Sequence, residues 1–456
     1  MLHHGPCHRP ASSLRRTAAA VALLASCWAA GASAQSLSEL YLTARGYDAA
    51  FLAAQAQAEA TGYKAEQAKA ANLPSVGLKG SINRNEFEPA NKNLQLGNVG
   101  KYHFTNKTLA LQARQSLFNK GVTTSIQQAE ESLKVAAADL RAAESDLIVR
   151  LSQAYFDVLG ARDALTTAQT NKKALAEQLA SAKRNFEVGN ATITDTREAQ
   201  ARFDLATAQE IAAENDLKVK SIALDQLVGQ NNVQPLSLAA PASSPALNPA
   251  TADEWVALTA ESPIVQKATV ALDVARIEAG KAQGEHLPTA DLVGTLSRNE
   301  VDGSASAALA SSTGNTASIG LEVNVPVFAG FATTNRIKET ASLLTKSERD
   351  LDNARRSVAL ATRQAFFGVQ SGQAQVKALE AAEASAKLAL EATQLGYRVG
   401  VRVNKDVLDA QTALATTQRD LSKARYDVIV GTMKLRQLSG SLKAEDLDNL
   451  NKLLTR

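Results

Sequence analysis

The tetrad Gln153-Ala154-Tyr155-Phe156 returns 211 residues later as Gln364-Ala365-Phe366-Phe367. The same displacement carries Val188-Gly189 onto Val399-Gly400, Asp195 onto Asp406 and Ala199-Gln200 onto Ala410-Gln411. It also carries Gln226-Leu227 and Gly229 onto Gln437-Leu438 and Gly440, with no insertion between. A displacement of 214 pairs Leu73-Pro74 with Leu287-Pro288 and Arg84-Asn85-Glu86 with Arg298-Asn299-Glu300. Self-similarity at a fixed spacing marks a duplicated architecture. The chain reads as one unit written twice, over 35–229 and 263–440. A linker over 230–262 bears Pro235, Pro241, Pro245 and Pro249 and reads as a crossing segment. A short polar tail, 441–456, follows.

Each copy has the order helix, strand, polar loop, strand, very long helix, tight turn, helix. The first helix runs from Leu37 to about Ala71, where Leu73-Pro74 stops it. Period-two alternation marks strands over about 74–86 and 104–118, and in the second copy over about 288–300 and 316–328. The clearest sets Ile319, Leu321, Val323, Val325 and Val327 against Gly320, Glu322, Asn324 and Pro326. Strands of about 10 residues can cross a bilayer when tilted. The loops at 87–103 and 299–315 are rich in Asn, Gly, Ser and Ala. Alternation alone fits an ordinary soluble sheet with one wet face equally well. The scarcity of strands and the length of the flanking helices favour the membrane. Four strands cannot close a barrel, since bacterial outer-membrane barrels start at about eight; three chains would supply twelve.

The long helices are expected over 119–187 and 330–398, with helices 195–229 and 406–440 after the turns. At 1.5 Å per residue, nearly seventy residues span on the order of 100 Å. Ile126, Leu133, Leu140 and Leu147 recur every seven residues, and Leu151, Val158 and Leu165 continue the stripe after a four-residue step. A solid coiled-coil rod and a ring of helices around a wet lumen both fit that stripe.

Arg9, Arg15 and Arg16 precede the apolar run Ala18–Ala30, and Ala32-Ser33-Ala34 offers a small-residue cleavage site. Residues 1–34 read as a signal peptide. A lipoprotein signal, with Cys27 lipidated after Leu24-Ala25-Ser26, is the alternative. The chain has 49 Lys+Arg and 46 Asp+Glu; the leader holds three Arg and no acid, leaving 46 of each. That balance argues against nucleic-acid binding. Both cysteines lie in the leader, and only His103 and His286 follow it, so neither a metal nor a haem site is expected. There is no phosphate-binding Gly-rich loop and no Ser/His/Asp or Cys/His set, so no enzyme and no cofactor are expected. No stretch after the leader could cross a membrane as a helix; membrane entry would have to be by β-strands.

Both long helices end in Val-Gly, a short polar turn and an Asp: Phe186-Glu187-Val188-Gly189-Asn190-Ala191-Thr192-Ile193-Thr194-Asp195, and Tyr397-Arg398-Val399-Gly400-Val401-Arg402-Val403-Asn404-Lys405-Asp406. Taken alone, these are helix punctuation. With the doubled repeat, Ala154-Tyr155-Phe156, Leu287-Pro288 and Asp406-Val407-Leu408-Asp409-Ala410, they resemble the TolC family of outer-membrane channel-tunnels over essentially the whole mature chain. The resemblance implies a mainly α protein with transmembrane β. A homotrimer would form a 12-stranded outer-membrane barrel, four strands per chain, continued by a long periplasmic α-helical barrel. The linker and tail would form an equatorial belt.

It implies a passive exit duct of a tripartite efflux pump or type I secretion system, opened at its tip by a periplasmic adaptor and an inner-membrane transporter. By the same resemblance, Asp406 and Asp409 match constricting acidic rings. Six carboxylates in one mouth would repel anions and raise one another's pKa, and Lys405, beside Asp406, would offset part of the charge. Thr194, Asp195, Tyr397 and Arg402 match the links that hold the mouth shut; Val188, Gly189, Val399 and Gly400 match the adaptor-docking tips. The alternative function is a periplasmic coiled-coil scaffold or adhesin stalk without a pore. The cargo and the pump are not written in the chain.

Overall fold

The protein is described by a computed structural model over residues 35–88, 101–238, 247–303, 311–452 and 454–455. The expected signal peptide, with Cys27 and the cleavage site, lies outside the described residues, as do parts of both strand-joining loops and of the linker.

Helix α1, Leu37–Tyr47, opens with a capping box in which Ser36 and Glu39 satisfy each other's backbone N–H groups. Helix α2, Ala49–Ala70, follows after a break at Asp48. The single helix expected from Leu37 to Ala71 is therefore two. Asp48 takes an extended backbone, and its carboxylate accepts from the Phe51 N–H as the N-cap of α2. It also takes two 3.0 Å bonds from the Arg150 guanidinium. That guanidinium, then the backbone donors, holds the Asp48 carboxyl below the usual carboxylate range against the effect of burial.

Asp48→Ala is expected to cost about 2 kcal/mol, the sum of a lost cap and a lost charged pair. A lowered folded-state pKa stabilises above the unfolded value, about 3.9. The contribution is lost as pH falls through the folded value. The melting difference between wild type and Asp48→Asn should therefore be full at pH 7 and shrink on acidification below about pH 4.

After Leu73-Pro74 come β1, Ser75–Phe87, and β2, Tyr102–Phe118. Asn119 caps the long α3, Lys120–Glu187, by accepting from the Val122 N–H. Helix α4, Ile193–Val228, returns beside it. The linker holds β3, Ser237–Leu238, α5, Ala252–Leu258, and a 3₁₀ turn at Thr259–Glu261. The second half runs through α6, Pro263–Gly284, β4, Thr289–Gly303, and β5, Ser312–Asn324. Helices α7, Ala332–Arg398, and α8, Asn404–Ser439, follow. The tail carries α9, Glu445–Asn451, and β6, Leu454–Thr455.

The boundaries on either side of Pro326 differ from the sequence reading. The last strand spans 312–324 rather than 316–328, and α7 starts at Ala332 rather than 330. Val325 and Val327 continue the alternation, but Pro326 has no N–H to donate to a ladder. Gly330 (φ 59°) and Phe331 (φ 65°) then turn the chain in the left-handed region before the helix begins. The tail is not merely polar: Leu442, Leu447 and Leu450 are buried. Its β6 pairs with β3 of the linker, and Pro235 bridges to Gln35, so linker, tail and N-terminal segment meet in one belt.

The four long strands form one antiparallel sheet in the order β1-β2-β4-β5. Register sets the faces. Leu78, Leu111, Leu296 and Ala317 lie in one row across all four strands, and Val76, Ala113, Gly294 and Ile319 in another. This apolar face is bare: Ile319 is 80% exposed and Ile82 74%. The opposite face carries Lys79, Ser81, Gln112, Arg114, Thr295, Ser318 and Glu322. The main core lies far from the sheet, at mid-length of α3, where Leu147, Leu151, Tyr155 and Phe156 pack against Leu37, Leu40, Val430 and Met433. With 68 residues, α3 is on the order of 100 Å long.

Candidate gate at the helical hairpin tips

The far ends of α3 and α7 close in the same way. The Gly189 N–H donates to the Phe186 carbonyl and the Asn190 N–H to that of Asn185; Gly400 and Val401 donate to Tyr397 and Gly396. These are Schellman closures. They place Gly189 at φ 77° and Gly400 at φ 79°, where a residue with a Cβ is strained. Each glycine sits in a short turn whose apolar side chains point into solvent: Val188, Ile193, Val399, Val401 and Val403 are all exposed.

Polar ties draw the two hairpins together. The Arg202 guanidinium of α4 donates to the Asp409 carboxylate of α8 at 2.7 Å. Lys405, one turn before Asp409, donates to its other oxygen at 2.5 Å. Between α3 and α7, the Asn185 amide donates to the Tyr397 hydroxyl at 3.1 Å. Between α3 and α8, the Gln178 amide donates to the Asn404 side-chain oxygen at 2.5 Å. Arg402 lies 3.6 Å from the Asp406 carboxylate one turn further on.

Within the single chain, Asp195 and Arg402 bond inside their own hairpins. Asp195 is engaged in a capping box with Thr192, receiving its N–H and hydroxyl, while Thr194 is exposed in the first turn of α4. Tyr397 accepts from Asn185 of the other hairpin. Arg402 pairs within its own hairpin, with Asp406. Lys405 offsets Asp409 rather than its neighbour Asp406, because residues four apart share a helix face. Lys405, with help from Arg202, holds the Asp409 carboxyl below the ordinary carboxylate range despite some desolvation, and Lys405 is correspondingly raised. The partners Gln178, Asn185, Arg202 and Asn404 were not singled out from sequence. Arg202 and Asp409 are 207 residues apart, and no local pattern joins them.

A bare apolar sheet at one end of helices on the order of 100 Å long, with polar-tied hairpins at the other, defines a membrane-anchored tube element. The chain belongs to the outer membrane efflux protein family, which matches residues 40–230 and 256–441. It is 30% identical to the outer membrane protein TolC of Vibrio cholerae over 419 residues, 92% of this chain and 93% of that one. It is 33% identical to the alkaline protease secretion protein AprF of Pseudomonas aeruginosa over 348 residues, 75% and 70% of the two chains. Its fold is that of the outer membrane protein VceC from Vibrio cholerae, with a TM-score of 0.74 at 18% identity over 89% of this chain and 96% of that one. It is an outer-membrane protein, a component of an efflux or type I secretion system.

Proposed function

We propose that this outer-membrane exit duct works as a passive homotrimer. The observation that carries the reading is the four-stranded sheet, whose apolar face is exposed and whose edge strands β1 and β5 lie at opposite ends of the strand order. Exposed edges and a bare apolar face are liabilities in water. Both are resolved when three copies close twelve strands in a bilayer. The two halves of the chain act as repeats that line a continuous helical tube below the barrel.

The tips at 186–195 and 397–406 form the mouth. Asp406 and Asp409 ring its constriction, and Thr194, Asp195, Tyr397 and Arg402 belong to the links that keep it narrow. Val188, Gly189, Val399 and Gly400, with their exposed apolar neighbours, receive a periplasmic adaptor. Exposed ties contribute roughly 0.2–1 kcal/mol each. An adaptor and an inner-membrane transporter that favour the open arrangement would therefore suffice to shift the balance. The chain carries out no catalytic step; energy comes from the transporter.

The test is conductance of the purified, folded protein in planar lipid bilayers, with oligomer mass measured in the same detergent. Trimers that insert and give discrete ion conductance are expected. A folded protein that never inserts would favour a periplasmic scaffold without a pore.

A further inference from the structure

The two hairpins of the sheet share one register. Moving β1 by 214 residues and β2 by 210 carries Ser75↔Arg114 onto Thr289↔Asn324, and Leu78↔Leu111 onto Leu292↔Leu321. Between the hairpins lies the β2–β4 seam, with pairs such as Leu111↔Leu296, Ala113↔Gly294 and Gln112↔Thr295. The same displacements turn that seam into the one β5 would make with β1 of a second copy. Leu111↔Leu296 becomes Leu321 beside Ile82, Ala113↔Gly294 becomes Val323 beside Gly80, and Gln112↔Thr295 becomes Glu322 beside Ser81.

Two features of the chain agree with this register without having been used to derive it. Side chains alternate faces along a strand, so a slip of one residue would set apolar against polar. The derived pairing instead brings the apolar face of β5 (Ile319, Leu321, Val323) level with that of β1 (Leu78, Gly80, Ile82). In addition, the β2–β4 seam has an irregularity between Ser116 and Phe118. The equivalent position on the other seam holds Pro326, which is tolerated at a bulge.

Charge supplies a third. On the polar face, Arg114 pairs at 2.7 Å with Asp291. Asp291 is not the residue directly opposite, which is Val293, but lies two before it. Directly across from Asp291 stands Glu322, so two acids face each other over one engaged arginine. Like charges directly opposite are unfavourable. In the derived seam, the residue two before Ser81, the direct partner of Glu322, is Lys79. Lys79 is exposed, its direct neighbour on β2 is Ala110, and the diagonal ones are Thr108 and Gln112.

We propose that β5 pairs antiparallel with β1 of a second copy of this chain in this register, Leu321 beside Ile82 of the partner subunit, and that Glu322 closes the seam by an ion pair with Lys79 of the partner subunit. The proposal rests on the multi-chain duct reading and names the residues that close it. Lys79 would relieve the Asp291–Glu322 repulsion, making the charge balance of the sheet complete only in the assembly.

The register is tested with Asn83→Cys/Gly320→Cys, a directly opposed polar-face pair in the derived seam. The comparison is Asn83→Cys/Thr316→Cys, four residues out of register and about 13 Å away along the strand. That is beyond the reach of a disulfide. Within one chain the two positions lie on opposite edges of the sheet, so any bond joins copies. After mild oxidation of the membrane-inserted protein, the first variant should run as covalent trimer in denaturing gels, while the second and both single-cysteine variants run as monomer. Lys79→Glu and Glu322→Lys should each lower the temperature at which the native trimer dissociates, and the two combined should restore it. Trimers that crosslink only in the displaced variant, or charge reversals whose effects add instead of cancelling, would overturn the proposal while leaving the duct intact. If wild-type protein shows no oligomer by mass, the duct reading fails first.

Discussion

Phe156→Ala is expected to destabilise the folded chain by about 3–5 kcal/mol, the range for removing a buried aromatic ring. Phe156 is 2% exposed in the largest core cluster. Its ring stacks on Tyr426 at 5.7 Å and meets Tyr155 edge-on at 5.4 Å. The two tyrosines are themselves anchored. The Tyr426 hydroxyl donates to Asp163 at 2.7 Å, and that of Tyr155 to the Leu236 carbonyl of the linker at 3.2 Å. Truncating Phe156 therefore opens a cavity where α3, α8, α1 and the linker meet, and neighbours held by hydrogen bonds cannot collapse into it. The counterpart Phe367 is 55% exposed in the single chain. Phe367→Ala should cost the isolated chain little, so a loss as large as that of Phe156→Ala in the assembled protein would mean that another copy covers it. Thermal melts of both variants in one detergent decide this; a Phe156→Ala loss below about 1 kcal/mol would contradict the packing described.

The second large effect is electrical. Asp406→Ala/Asp409→Ala should shift ion selectivity toward anions and increase open-channel conductance. Both changes follow from the ties. Asp409 neutralises Lys405 and Arg202, and Asp406 neutralises Arg402. Removing the two acids leaves Lys405, Arg202 and Arg402 without these partners, with Glu198 as an acid near Lys405, and so adds uncompensated positive charge at the proposed mouth. It also releases the Arg202–Asp409 link that draws α4 to α8. Each tie is worth only roughly 0.2–1 kcal/mol, but in the proposed trimer every copy would lose its ties to these two acids at once. The reversal potential across a salt gradient in planar bilayers reads the selectivity, and conductance under the same conditions reads the width. An unchanged reversal potential would place the constriction elsewhere in the tube.

The elements of this fold were legible in the chain because their signals are local. A long helix needs only the absence of Pro and a repeating apolar stripe, and Asn119 to Glu187 supplies both. A half-wet strand needs only alternation, which Ser75 to Ile82 shows. Local signals failed where two of them competed. At Asp48, an N-cap with a partner in Arg150 outweighed helix continuity. At Pro326, alternation ran on past the residue that ends the ladder.

By itself, the sequence determined which side chains share a face, since the periods of helix and strand are properties of the backbone. It determined the family too, through Tyr155-Phe156, the Leu-Pro stops and the two Val-Gly turns. Tertiary structure decided who meets whom at the tips. Arg202 and Asp409, or Asn185 and Tyr397, are about two hundred residues apart and come within hydrogen-bond reach only because the two hairpins pack side by side. It also decided the electrostatic surroundings of Asp409, because Lys405 lies one helical turn away while Arg202 approaches from another helix. A single acidic residue in a sequence has no field of its own to read; its neighbours in space supply it.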